Sequence, residues 1–229
     1  MSASAALPEP LSASLSAPAS PSVRPRGRPR KTLLERDDGN RRAALLATAA
    51  ALFRSQGFAA TTTRDIAAAA GMQSGSPFYH FKSKDALLFA VMHEGMRAAL
   101  ARQQATLQTL ATQAPLAQLR GLVQTHFAVL LGPDSDFIPV MLYESRALNA
   151  AQRAELSALQ SQYEALWVPV LTALHASGAL RAPVGLARLL ILGALNWSVQ
   201  WFDPHKPASL DDLTDAALAL FVGPGVPAS

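Results

Sequence analysis

Thr61-Thr-Thr-Arg-Asp-Ile-Ala-Ala-Ala-Ala-Gly-Met-Gln-Ser-Gly-Ser-Pro-Phe-Tyr-His-Phe-Lys-Ser-Lys-Asp85 is the stretch on which the reading of this chain turns. Thr62 is placed to cap a short helix, and Asp65 three residues later completes a capping-box pair. Ile66, Ala67 and Ala70 give that helix a face of small residues, and Gly71 supplies a sharp turn. A second short helix is predicted over 74–81. It starts at Ser74, because Pro77 then falls in the first turn and costs no intrahelical hydrogen bond. Two short helices packed closely across a tight turn make a helix-turn-helix, and short polar residues at the start of the second suit contact with base edges in a major groove. Taken alone, the pattern also fits a generic three-helix packing unit.

Working outward, caps and breakers mark helices on both sides. Asn40 is read as the cap of a helix over 41–56, with Leu45, Leu46, Ala49, Leu52 and Phe53 at 3–4 spacing and Gly57 as its stop. Ser83 caps a long helix through Leu87, Leu88, Val91, Met92 and Leu100 to about Gln113. Pro115, Pro133, residues 148–151, 178–183 and 204–207 punctuate the remainder into helices near 116–131, 134–147, 151–177, 184–202 and 209–221. Alternating β-branched and aromatic runs are absent. The expected fold class is all-α, with about nine helices: a three-helix, helix-turn-helix domain over 40–86 and a second helical domain over 87–223. Residues 1–23 are mostly Ala, Ser and Pro, and their poverty in bulky apolar residues predicts disorder; with the basic arm at 24–31 they make up the tail expected over 1–39.

Charge and composition narrow the function. The chain has 229 residues, 50% hydrophobic and 16% charged, with a net charge of +4. Residues 1–90 hold 12 Lys and Arg against 6 Asp and Glu, whereas residues 91–229 hold 8 against 10. A basic front and a mildly acidic back point to a front that meets a polyanion. With no cysteine, disulfide frameworks, thiolate zinc sites and thiol catalysis are excluded. The five histidines include no i,i+3 or i,i+4 pair that would hold a metal on one helix. No cofactor is expected. No nucleophile elbow, phosphate loop or paired catalytic carboxylates are present, so an enzyme is not expected. The most apolar uncharged run, 189–202, is too short and too polar to span a bilayer. No basic leader precedes the tail, so a cytoplasmic protein without membrane contact is expected.

Together with the helix over 41–56 and the following Ser83-Lys-Asp-Ala-Leu87, the quoted stretch resembles the DNA-binding domain of TetR-family transcriptional regulators. The residues that carry the resemblance are Phe53, Gly57-Phe58, Thr61–Thr63, Ile66-Ala67, Ala70-Gly71, Gly75, His80-Phe81 and Lys82-Ser-Lys84. It implies that Thr62 or Thr63, with Arg64, contacts phosphates at a helix N-terminus, where an anion is favoured. It places Gln73, Ser74, Ser76, Tyr79 and His80 on or beside the recognition helix, with Gln73 suited to adenine. Lys84 sits in the first turn of the next helix, a placement unfavourable to the dipole that either a phosphate partner or solvent screening explains. Two departures stand out. Gln73 replaces a frequent Ser, and Phe78 replaces a phosphate-contacting Tyr, so Tyr79 is the candidate to compensate.

The arm, Arg26-Gly-Arg-Pro-Arg30, resembles the core of an AT-hook. Arg26, Arg28 and Arg30 flank slim, extended Gly and Pro, which lets guanidinium groups enter a narrow A·T minor groove. A solvated basic tail is the plainer alternative.

In the second domain, Leu156, Leu159, Tyr163, Leu166, Val170 and Leu174 form a seam along helix 151–177, and Pro169 is expected to kink it near Ala165. Leu186, Leu189, Leu190, Gly193, Ala194, Trp197 and Trp201 share one wide face of helix 184–202. Ile191, Leu192 and Leu195 cover much of the rest, which predicts a largely buried helix. By resemblance, the last two long helices form a four-helix interface in a homodimer, with recognition helices about 34–36 Å apart on a palindromic site. Phe127, Tyr143, Trp167, Asn196, Trp197 and Trp201 are the candidate effector contacts, with His126 as a polar handle. The segment 192–202 is similar to one in TetR-like regulators of lipid catabolism, which points to a small hydrophobic, fatty acyl or acyl-CoA-like effector. Two readings stay open here: an effector-released dimeric repressor of double-stranded DNA, and a ligand-independent architectural DNA binder.

Overall fold

The computed structural model describes residues 33–72, 80–132 and 135–223, with side chains from residue 39 onward. Every regular element among them is helical. In chain order these are α1 (Leu33–Gln56), α2 (Thr63–Ala69), α3 (Lys84–Thr109), α4 (Pro115–Leu131), α5 (Phe137–Glu144), α6 (Ala150–Ala165), α7 (Trp167–Ala176), α8 (Val184–Trp197) and α9 (Leu210–Phe221). Short 3₁₀ turns, Ser145–Ala147 and Ser198–Gln200, follow α5 and α8.

The sequence signals account for most of these boundaries. Thr62 accepts from the Asp65 N–H while Asp65 accepts from the Thr62 N–H, the reciprocal pair expected of a capping box. Ser83 caps α3, Asn149 with Gln152 caps α6, and Ser209 with Asp212 caps α9. Gly57 at φ 82° and Gly71 at φ 66° take the left-handed conformation that ends α1 and turns the chain after α2. The recognition helix expected over 74–81 lies outside the described residues except for His80, which is helical, and Phe81, which follows it.

Three expectations need correction. Asn40 is not a cap, and residues 33–39 do not belong to the tail expected over 1–39, because α1 begins at Leu33 and runs straight through them. Gly39 costs a helix only about 1 kcal/mol relative to Ala, too little to stop it. The single helix over 151–177 is two, α6 and α7, meeting at Leu166. Pro169 has no N–H for the carbonyl of residue 165, and the chain closes a tighter turn there, with the Leu166 N–H donating to the Tyr163 carbonyl at 3.3 Å. Third, α8 is not largely buried. Ala187, Ile191, Leu192 and Leu195 face the core, but Leu186, Leu189, Leu190 and Trp197 stand 57–66% exposed, as does Trp201 just beyond at 55%.

Two cores result. Leu45, Ala49, Phe53, Ile66, Phe81, Leu87, Leu88, Val91 and Met92 form the core of the N-terminal helical unit, the head of the molecule. Val140 of α5, Leu156 of α6 and Leu148 of the link between them join it. Met96, Leu119, Leu122, Phe127, Trp167, Leu171, Ile191 and their neighbours form the second. α3 belongs to both, changing allegiance between Met92 and Met96. α5 is tied to the head as well, since Phe137 fills the space that a side chain at Gly95 would need, a Cβ there lying 2.1 Å from the ring.

Candidate functional site

The head is assembled around Phe58 and Lys84. Thr61 is fully buried, its hydroxyl donating to the Gly57 carbonyl at 2.8 Å, and so pins the turn between α1 and α2. The Lys84 ammonium donates to the carbonyls of Phe58 (2.8 Å) and Thr61 (2.9 Å) and lies 4.3 Å from the centre of the Phe58 ring. That answers the question its dipole-unfavourable position raised. Its charge serves the carbonyls of the α1–α2 turn, and it acts as a strut that ties the start of α3 to that turn. Arg42 is likewise occupied, bridging to Glu94 on α3 and lying over the Phe81 ring.

Thr62 spends its hydroxyl on the cap, which also keeps the Asp65 carboxyl below its ordinary range. Thr63 is half-buried, whereas Arg64 and Lys82 are exposed. His80 is half-buried. Gln73, Ser74, Ser76, Phe78 and Tyr79 lie outside the described residues, as do Arg26, Arg28 and Arg30 of the arm.

Within the second core is a cavity of about 380 Å³. Its wall is mostly apolar, from Met96, Ala99, Val129, Leu130, Ile138, Met141, Leu148, Leu156 and Leu192. Arg153, Ser157 and Gln160, all exposed, stand at its rim, and the Glu164 carboxylate beside them pairs with Arg188. Of the candidate effector contacts, Asn196 and His126 line this space. Trp167 is fully buried behind His126, edge-on at 5.9 Å. Phe127 is buried in the core, while Tyr143, Trp197 and Trp201 are exposed, and none of these four lines the cavity.

Beside it lies a feature that sequence reading missed, a chain of four polar side chains, three of them buried and the fourth, Asn196, half-buried. Gln103 Nε2 donates to the Leu122 carbonyl at 2.9 Å and to the Tyr163 hydroxyl at 2.8 Å. Tyr163 Oη lies 2.7 Å from His126 Nδ1, and His126 Nε2 lies 3.2 Å from Asn196 Oδ1. Burial drives the His126 pKa down to about 4 against a smaller upward pull from Asn196, so the ring is neutral. Burial also pushes the Tyr163 hydroxyl up, which keeps it protonated. The available signal was Gln103, a polar residue interrupting the Ala99, Leu100, Leu107 face of α3. Tyr163 was read only as a seam residue.

α5 is the wall shared by cavity and head. Ile138, Met141, Leu142 and Ser145, on and just after α5, line the cavity, whereas Val140 enters the head's core. Glu144 accepts from the Phe58 N–H at 3.0 Å and Asp136 accepts from Arg54 at 2.6 Å, so both ends of α5 grip the end of α1. Among the described residues no group of three His, Asp or Glu could hold a metal ion, and no helix is long and apolar enough to cross a membrane.

Known proteins resemble this chain in both of its helical units. Residues 45–91 match the family described as bacterial regulatory proteins, tetR family, and residues 112–223 match the tetracyclin repressor-like C-terminal domain. The transcriptional repressor KstR2 of Mycolicibacterium smegmatis is 30% identical over 189 residues, covering 80% of this chain and 90% of that protein. Among solved structures, the ketosteroid transcriptional regulator KstR2 of Mycobacterium tuberculosis is similar at a TM-score of 0.70 and 27% identity, over 80% of this chain and 96% of that one. The superantigen PfiT is similar at a TM-score of 0.67 and 37% identity, over 80% and 96%.

Proposed function

The chain belongs to the TetR family of bacterial transcriptional regulators, and from that premise we propose that it is a repressor that grips a palindromic operator as a homodimer and is released by a small hydrophobic effector. The observation that carries the reading is the double duty of α5. A body that fills the cavity presses on Ile138, Met141 and Leu142, and the helix that carries them holds the end of α1 through Asp136 and Glu144. Filling the cavity therefore favours one position of α5, and with it one position of the α1–α2 turn. That is a population shift with a physical lever, for which a coupling of about 1–3 kcal/mol is typical. An architectural binder has no use for such a cavity.

The dimer is supported by the outward face of α8. Leu186, Leu189, Leu190 and Trp197 form a stripe with Leu220 of α9 exposed nearby, and Gly193 leaves open space within it. Exposed apolar patches of this kind mark association surfaces, and covering each large side chain is worth about 1.5–3 kcal/mol. A second copy related by a two-fold axis covers it and sets two reading heads side by side. A fatty acyl or acyl-CoA-like effector suits the apolar wall, with Arg153 at the rim as the cation for an anionic tail.

The test is to select the preferred DNA from a random pool and follow its release by fluorescence anisotropy as hydrophobic compounds are added. A two-fold symmetric site and release by at least one compound are expected. Selection of scattered A·T-rich sequences without symmetry, or no release by any compound, would overturn the reading.

A further inference from the structure

The polar chain beside the cavity has a fixed direction, and the direction says what the effector carries. It starts from a group that cannot be reversed, the backbone carbonyl of Leu122, which only accepts. The Gln103 atom facing it is therefore the amide nitrogen, and the same nitrogen donates to the Tyr163 oxygen. The Tyr163 proton must then go elsewhere, and the acceptor within reach is His126 Nδ1 at 2.7 Å. A neutral imidazole that accepts at Nδ1 carries its proton on Nε2, which donates to Asn196 Oδ1. Each step follows from the one before. At the cavity end one lone pair of the Asn196 oxygen is engaged by His126, while its two amide N–H groups have no protein partner among the described residues, so what that side chain chiefly offers a ligand is N–H.

We propose that the effector carries an uncharged hydrogen-bond acceptor of the ketone, ester or amide type at the end of an apolar body, and that Asn196 is the residue that receives it. The assignment rests on the cavity being the effector site. A carboxylate is disfavoured at this end, because the wall around Asn196 supplies no positive charge: His126 is neutral, and the nearest lining cation, Arg153, is exposed at the rim. A plain hydrocarbon leaves the Asn196 N–H groups without a partner in a mostly apolar wall. The chain thus selects on two sides, against charge and against the absence of an acceptor.

The experiment uses the full-length protein and three probes of one ring size: cyclodecanone, cyclodecane and cyclodecanecarboxylate. Affinities are measured by calorimetry for the wild type, Asn196→Leu and Asn196→Asp. The wild type is expected to bind the ketone about tenfold more tightly than either of the others, the factor one well-placed hydrogen bond supplies. Asn196→Leu should erase the ketone's advantage while leaving the hydrocarbon within about twofold, and Asn196→Asp, which offers an acceptor, should bind the ketone least well. Tightest binding of the carboxylate, equal binding of all three, binding of none, or a ketone preference that survives Asn196→Leu would each overturn the assignment. Asn196 is half-buried, and should a variant fail to fold, the wild-type series decides alone. Operator release is measured alongside to separate the two levels. A carboxylate that binds best and releases DNA refutes the head-group assignment while sustaining the effector reading. A ketone that binds selectively without releasing DNA does the reverse.

Discussion

Acid should loosen this protein through one residue. His126 is 7% exposed, and its pKa falls from 6.5 in the open chain to about 4 in the folded one. Between those values the unfolded state binds a proton that the folded state refuses, so stability rises with pH and is lost as the pH falls. The contribution is complete above about pH 6.5 and is gone near pH 4. At 1.36 kcal/mol per unit, the whole shift corresponds to about 3 kcal/mol, of which about 2 kcal/mol disappears between pH 7.5 and pH 5. Protonation of Nδ1 also turns an acceptor into a donor facing the Tyr163 hydroxyl, so that link reverses and the Tyr163 proton loses its acceptor. The assay is urea denaturation of the wild type and His126→Gln at fixed protein concentration, at pH 7.5, 6 and 5. The variant is expected to be less stable at pH 7.5, yet its stability should fall by about 2 kcal/mol less than that of the wild type on going to pH 5. Carboxylates common to both proteins cancel in that difference. Parallel pH profiles would refute the reasoning, since they would mean that His126 binds its proton as readily folded as unfolded.

The remaining predictions concern packing, assembly and DNA. Gly95→Ala puts a Cβ against the Phe137 ring and should cost about 1–3 kcal/mol in thermal denaturation, with most of that loss recovered in the Gly95→Ala/Phe137→Ala pair relative to Phe137→Ala alone. Leu190→Glu, on the exposed stripe of α8, should leave the helical circular dichroism unchanged but shift sedimentation from dimer to monomer and weaken operator binding; an unaltered sedimentation profile would remove that stripe from the interface. Deleting residues 1–31 removes five arginines and lysines, and every phosphate that the arm neutralises in the intact protein should lower the salt slope of DNA binding by about 0.9 once the arm is gone. An unchanged slope would mean that the arm neutralises no phosphate.

Comparing Lys84 with Thr62 shows how far the sequence could be read. The Thr62–Asp65 cap joins residues three apart, and its geometry is a property of the local chain, so the spacing alone reveals it. The same holds for Ser83, Asn149 and Ser209 and for the turn glycines. Lys84 finds its carbonyls 23 and 26 residues away, and nothing within one turn of it announces that destination. Asn40 misled for a related reason. It is a good cap in isolation, but a single Gly beside it is too weak a break to stop a helix that has residues to continue with.

By itself, the sequence determined the all-helical class, most helix starts and the helix-turn-helix pattern, because these follow from hydrophobic period, caps and short fixed spacings, while the family came from the resemblance of residues 41–87 to known regulators. Only the tertiary structure decided where the hollow lies and what faces it. Gln103, His126, Tyr163 and Asn196 come from four helices, and Glu144 meets Phe58 across 86 residues of chain. It also decided which side of α8 turns outward. An apolar residue repeats every three or four positions whether its face meets the chain's own core, a ligand or a second copy, and only the packing of the other helices tells those surfaces apart.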